Sequence, residues 1–402
     1  MEEWATYKLG EIAECSLGKM LDQRKNKGKP RTYLGNVAVR WGSINIDPTQ
    51  TMLFEDHELE KYSLKKNDIV ICEGGEPGRC AIWKSNDTIL IQKALHRVRV
   101  NAEIADPLYV YYYITHLAKS HLLEPLFTGS TIKHLPRERL VSIEIRLPDL
   151  SKQKQISSIL ATIDDKRYTN SLINDNLEQQ VKALYKSWFI DFEPFKDGDF
   201  VESELGLIPE GWKVAELSSV TKQITEKVKD RTDVKVLSPV NTGELVLSEE
   251  YFTKQVFSES VSKYIVVKPL QFAYNPARVN IGSLGMNTFT FDGCVSPVYV
   301  VFECESNYHH FFDYYRKTDG FKEEVLTRAI GGVRQTLSYK DFSLIKLVYP
   351  PQEVVEKFNS IYGKLLDNIN SIKSENTKLS DLRDTLLPKL MSGELKINEI
   401  DC

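Results

Sequence analysis

The apolar positions of this chain fall into two patterns, and each pattern occurs twice. A strand-like segment runs from Gly129 to Pro148 (GSTIKHLPRERLVSIEIRLP). A second runs from Gly331 to Pro350 (GGVRQTLSYKDFSLIKLVYP). Gly129 aligns with Gly331, Leu135 with Leu337, Leu140 with Phe342, Ile145 with Leu347 and Pro148 with Pro350, at a constant offset of 202 residues. After each proline the period changes. Alternating steps of four and three from Ile156 meet Leu160, Ile163, Arg167, Asn170, Asn174, Leu177, Val181, Leu184 and Trp188. The same register recurs at Phe358, Tyr362, Leu365, Ile369, Ile372, Asn376, Leu379, Arg383, Leu386 and Leu390. This spacing predicts two long helices with an a/d seam. The alternative is an ordinary core stripe on two unrelated helices, with an exposed Asn on each; the position-by-position match favours the repeat. Asn174 and Asn376 occupy the same seam position, where a polar residue costs stability and can set register. Pro388 predicts a kink or break late in the second helix.

A period of half the chain means a duplicated domain rather than a solenoid. Each half opens on a tryptophan, Trp4 or Trp212, leading into a short apolar segment. From Tyr33 to Val100 the pattern is mostly short strands, with a glycine turn at Glu73 to Arg79. Phe272 to Gly285 carries the matching turn. Aromatic helical segments follow, from Pro107 to His116 and from Tyr308 to Tyr315, and their spacing favours a core role. His309 and His310 are neighbours on one helix, so they are expected to point apart and not to share a metal. The predicted architecture is α+β: a globular unit at 1–150, a helix at 151–192, a linker at 193–211, a second unit at 212–350 and a helix at 351–396.

The 402 residues carry a formal charge of -4, so any nucleic-acid site must be local. The first candidate is the basic stretch Lys19, Arg24, Lys25, Lys27, Lys29 and Arg31, with Asp22 as its single acid. Gly28 and Pro30 make it read as a loop suited to phosphates. Lys222, Lys227, Lys229 and Arg231 offer the same in the second half. Arg79, Lys133, Arg137, Arg278, Arg334 and Gln335 stand near the glycine turns and the two repeated loops. Arginine and glutamine can read guanine and adenine in the major groove. Six scattered cysteines, with no Cys-x-x-Cys, predict reduced thiols and no zinc site. Met1 to Leu9 lacks a secretory pattern, and no apolar run is long enough to span a membrane. A cytoplasmic protein is expected.

Three stretches approach catalytic patterns. Asp149 with Asp164, Asp165 and Lys166 superficially follows a metal-dependent nuclease pattern. Asp164, however, lies inside the helical seam, and the second repeat has Pro350, Pro351 and Gln352 with no acid. Asn275 to Arg278 approaches a methyltransferase turn but lacks the aromatic that stacks on a flipped base. The turn at Glu73 lacks the Lys-Ser/Thr of a nucleotide loop. A coiled-coil scaffold with two non-DNA modules stays open.

The run from Gly129 to Leu160, with Glu202 to Trp212 (ESELGLIPEGW) and Leu386 to Leu395 (LLPKLMSGEL), resembles the specificity (S) subunits of type I restriction-modification systems. The likeness follows the whole chain in order. It implies two tandem target-recognition domains joined by two long antiparallel coiled-coil helices. It also implies a non-catalytic subunit that reads a bipartite site in double-stranded DNA. Two methyltransferase (M) subunits and the restriction-translocase (R) subunits would be its partners. S-adenosylmethionine would belong to M, ATP and magnesium to R, and this chain would hold no cofactor or metal. The assembled complex would methylate adenine and cleave DNA. A helix of about 36 residues is roughly 54 Å long, close to the roughly 48 Å of about 14 base pairs. The helix-helix contacts would come from Ile156, Leu160, Ile163, Asn174, Leu177, Leu184 and Trp188 with Leu365, Ile369, Ile372, Asn376, Leu379, Leu386 and Leu390.

Overall fold

The structure is a computed structural model and describes residues 4–20, 26–252, 257–258, 260–329 and 336–395. It divides into two compact units, 1–172 with 372–402, and 173–371. Each long helix runs from one unit into the other.

Unit one is built on an antiparallel sheet in the order Ala13–Leu17, Leu95–Val100, Ile69–Cys72, Cys80–Ile82. Strand side chains alternate faces. Ile69, Ile71, Cys80, Ile82 and Val98 therefore join one core, while Val70, Cys72, Ala81 and Leu95 join another. The first core is covered by the helix Pro107–Lys119. Asp106 caps it by accepting the Tyr109 N–H at 3.0 Å, and Pro107 supplies the fixed φ of a first turn. Tyr109, Tyr111, Tyr112 and Tyr113 are buried in this core. The second core lies under a smaller sheet in which Lys29–Leu34 runs antiparallel to Thr51–Phe54 and parallel to Leu90–Ile91. Ala5–Lys8 pairs with Glu144–Leu147 and so closes the unit beside the start of the first long helix.

Unit two repeats this plan. Its main sheet has the order Thr221–Ile224, Val300–Cys304, Phe272–Tyr274, Leu284–Met286. Lys235–Pro239 runs parallel to Gly293–Val295 and antiparallel to Leu245–Leu247. Lys213–Glu216 closes on Lys346–Tyr349. The helix Asp319–Arg328, capped by Thr318, is added in this unit. The core is strongly aromatic: Phe272 stacks on Phe302 at 5.2 Å, and Phe358 lies 4.9 Å from Phe189.

The long helices are Leu150–Phe189 and Gln352–Ser392. Every position of the four-three register is buried or half-buried in both helices. In unit one, Arg383 donates to Asp164 at 2.9 Å and Tyr112 donates to the same carboxylate at 3.0 Å. In unit two, Tyr185, Trp188 and Phe189 meet Phe358.

Several expectations change. The asparagines expected to mark equivalent registers are not used alike. Asn376 accepts from Asn170 at 2.9 Å within unit one, whereas Asn174 keeps a buried Oδ1 without a partner. Pro388 does not end the second helix, which continues to Ser392. It removes one backbone donor near the helix end, and buried Leu387, Leu390 and Met391 hold that turn. The stretch expected to be a linker contains the hairpin Phe200–Ser203 with Gly206–Pro209, and its Ile208 enters the unit-two core. His309 and His310 do not point apart: their rings lie 4.2 Å from each other at the start of the helix His309–Tyr315.

Candidate nucleic-acid interface

In unit one, three segments far apart in sequence meet at one end of the sheets. The strand Lys29–Leu34 delivers Asn36, whose Nδ2 donates to the Gly74 carbonyl at 2.8 Å. The loop at Gly129 is closed by reciprocal backbone bonds between Thr128 and His134, both 2.8 Å. Leu135 then donates its N–H to the Glu73 carbonyl at 2.7 Å. His96 donates from Nε2 to the Leu135 carbonyl at 2.7 Å, and burial holds its pKa below the usual histidine value. The glycine turn between them is tightly fitted. Gly75 has φ 77°, and a Cβ there would meet Asn36 Nδ2 at 2.9 Å, so glycine is required.

Side chains crown this meeting point. Trp41 Nε1 donates to Glu76 Oε1 at 2.8 Å, and Arg79 donates to Glu76 Oε2 at 2.8 Å. Arg79 also reaches the Asn36 carbonyl at 3.3 Å. Arg40 and Lys133 are exposed, and Val37 and Ile132 each keep 64% of their surface in solvent.

Unit two gathers the corresponding segments. Leu337, the repeat match of Leu135, donates its N–H to the Pro276 carbonyl at 3.1 Å, and Tyr274 donates to the Leu337 carbonyl at 3.2 Å. Ser283 donates to the Pro239 carbonyl at 2.6 Å. Gly282, at φ 94°, sits where a Cβ would meet the Asn241 carbonyl at 2.7 Å. This turn carries the exposed Arg278 in place of the clamped carboxylate.

The comparisons with known proteins agree with this repeated plan. Residues 1–183 match the family described as the type I restriction modification DNA specificity domain. The chain is similar to the specificity subunit of the type I restriction enzyme MjaIX of Methanocaldococcus jannaschii, 27% identical over 303 residues, 73% of this chain and 70% of that one. It is also similar to the HindI specificity subunit of Haemophilus influenzae, 21% identical over 477 residues, 98% of this chain and 100% of that one. Residues 1–183 carry a type I DNA specificity domain. Its fold resembles that of the S subunit from M. genitalium, with a TM-score of 0.62 and 16% identity over 96% of both chains.

The structure places the sequence-predicted cations unevenly. Lys19 is no phosphate ligand: it is 3% exposed, paired with Glu58 and bonded to the Leu53 carbonyl at 2.9 Å. Burial of an ammonium demands such partners. Lys27, Lys29 and Arg31 are exposed, but Lys29 to Arg31 form a strand rather than the expected loop. Pro30 is tolerated because that end of the strand pairs on one side, with Thr51–Phe54. Arg79 is committed to Glu76 and Asn36. Arg137 donates to the Cys15 carbonyl at 2.7 Å. Arg231 is held by Asp233 at 2.6 Å and Asp292 at 2.9 Å. Lys133, Lys222, Lys227, Lys229 and Arg278 are exposed. Arg24, Lys25, Arg334 and Gln335 lie outside the described residues.

Sequence reasoning missed Trp41 and Glu76 as a pair. They are 35 residues apart, and the one signal was an acid set between the glycines of the turn. The nuclease pattern does not assemble. Asp149 accepts the Lys152 N–H at 3.0 Å at the helix start, and Asp164 lies 15 residues on, about 22 Å along the helix. The one close group of three possible metal donors among the described residues is Glu55, His57 and Glu58, and Glu58 is occupied by Lys19. No helix among the described residues is long and apolar enough to cross a membrane.

Proposed function

We propose that this chain is a specificity subunit that reads a bipartite double-stranded DNA target, one half-site per unit, as the non-catalytic member of a methyltransferase and restriction complex. The observation that carries the reading is the recurrence, in both units, of the same three converging segments anchored by Leu135 and Leu337. The loop meeting points supply base contacts. The exposed cations supply phosphate contacts: Lys27, Lys29, Arg31 and Lys133 in unit one, Lys222, Lys227 and Lys229 in unit two. Lys29 and Leu34 stand at opposite ends of one strand, about 17 Å apart at 3.3 Å per residue, and Asn36 follows Leu34 by two residues. That strand length is about five base-pair steps, so one duplex can meet both ends. M subunits dock on the long helices, where Tyr168 and Leu172 remain 62% and 50% exposed. S-adenosylmethionine then belongs to M, and ATP with magnesium to R.

The test is a methylation map of DNA from cells expressing this chain with a methyltransferase partner, compared with cells lacking the chain. A new bipartite motif with modified adenine in both halves is expected. An intact complex that adds no motif would leave the scaffold reading in its place. Lys27→Gln with Lys29→Gln should reduce the slope of log affinity against log salt by about 2; an unchanged slope removes these lysines from the interface.

A further inference from the structure

We infer that Glu76 reads one base of a half-site, by accepting a hydrogen bond from an exocyclic amino group of cytosine or adenine in the major groove. The inference rests on the DNA-reading role proposed above and names a residue for it.

The carboxylate is fixed before any ligand arrives. Trp41 holds Oε1 at 2.8 Å, and Arg79 holds Oε2 at 2.8 Å. Arg79 is itself tied to Asn36, and its side chain is 13% exposed. The glutamate side chain remains 50% exposed. An ionised carboxylate offers about four lone-pair sites, and two are taken by these donors. A free surface glutamate loses rotamer entropy when it binds; this one has already lost it, which favours a specific contact.

Its charge restricts what it can contact. A carboxylate facing the phosphate backbone is repelled. Arg79 offsets that charge locally but satisfies one oxygen alone. The donors that a groove offers to the remaining lone pairs are cytosine N4 and adenine N6. Fold maintenance does not explain the acid. The corresponding turn of unit two, Asn275 to Ser283, is anchored to Leu337 in the same way and has no carboxylate. The acid is therefore a property of one reader rather than of the turn.

The experiment uses the full chain in its methyltransferase complex. Methylation maps are compared for the wild type and Glu76→Gln. The wild type should show cytosine or adenine at one position that Glu76→Gln relaxes, in one half-site, with the other half unchanged. Glutamine keeps the size and one acceptor, so Trp41 can still be held. A second measurement leaves the protein intact: duplexes carrying, at that position, a base analogue without the exocyclic amino group. The wild type should bind them about 10-fold more weakly than the cognate duplex, and Glu76→Gln should show no such difference. Which analogue acts distinguishes cytosine from adenine. A wild-type motif that Glu76→Gln leaves unchanged at every position overturns this inference alone. So does an equal analogue penalty in both proteins. A wild-type complex without a motif overturns the DNA-reading role and this inference with it.

Discussion

The glycine turns of the two units share a backbone plan and present opposite chemistry. In unit one, Glu76 stands between Trp41 and Arg79, and its arginine is consumed in holding it. In unit two, Arg278 stands exposed with no acid in its turn. Both turns hang on the same leucine of the repeat, through the N–H of Leu135 or Leu337. The anchoring bonds are made by backbone atoms, so the side chains at the tip are free to diverge. The tips of a duplicated unit can thus diverge in chemistry without disturbing its fold.

The largest effects on the two units are expected at their cores. Phe358 is 0% exposed in unit two, and Leu160 is 0% exposed in unit one. Phe358→Ala should cost about 3–5 kcal/mol and Leu160→Ala about 2–5 kcal/mol. Calorimetry should show each variant lowering the transition of its own unit; identical shifts throughout would mean the units do not unfold separately.

At the turns the expected effect is smaller and more selective. Arg278→Ala should remove about 1–3 kcal/mol of base discrimination in the half-site that Glu76→Gln leaves untouched. Competition between duplexes altered in one half at a time reads this directly. Loss of discrimination in both halves would contradict the separation of readers.

The seam asparagines sharpen the contrast further. Asn170→Leu leaves Asn376 without its 2.9 Å donor and should cost about 1–3 kcal/mol. Asn174→Leu removes an oxygen that is already unpartnered, so denaturant midpoints should show little change or a gain. Equal losses would mean that the two asparagines act alike after all.

Acid should separate the units least. Burial, with His309 alongside, lowers the pKa of His310 in unit two to about 4. The unfolded chain takes up that proton near pH 6.5, so stability present above this value is lost as pH falls towards 4. His310→Gln should flatten the fall of the unit-two melting temperature between pH 6.5 and 4.5. His96 in unit one is displaced in the same direction by burial, so the unit-one slope should persist in that variant.

Much of this protein was legible without a structure. The offset of 202 residues, the four-three register and the two glycine turns are patterns of residue type along the chain. Periodicity reports directly on which faces are buried. The repeat therefore announced two similar units and two long helices. It also placed Leu135 opposite Leu337, the pair that later proved to anchor the turns.

Tertiary structure decided which charges are free and which polar residues meet. A basic run of sequence looks uniform, yet Lys19 is folded inward onto Glu58 and the Leu53 carbonyl. Arg231 is neutralised by Asp292, 61 positions away in the chain. Whether a cation is available depends on its partners, and those partners come from other strands. The same holds for the asparagines. Matching repeat positions suggested Asn174 and Asn376, but Asn376 bonds to Asn170, because a bond across two helices depends on their packing and not on sequence equivalence. The clamp of Trp41, Glu76 and Arg79 had no periodic signature at all. It exists because two turns from separate parts of the chain, one carrying Trp41 and the other Glu76 and Arg79, meet, and convergence of that kind is a property of three-dimensional packing.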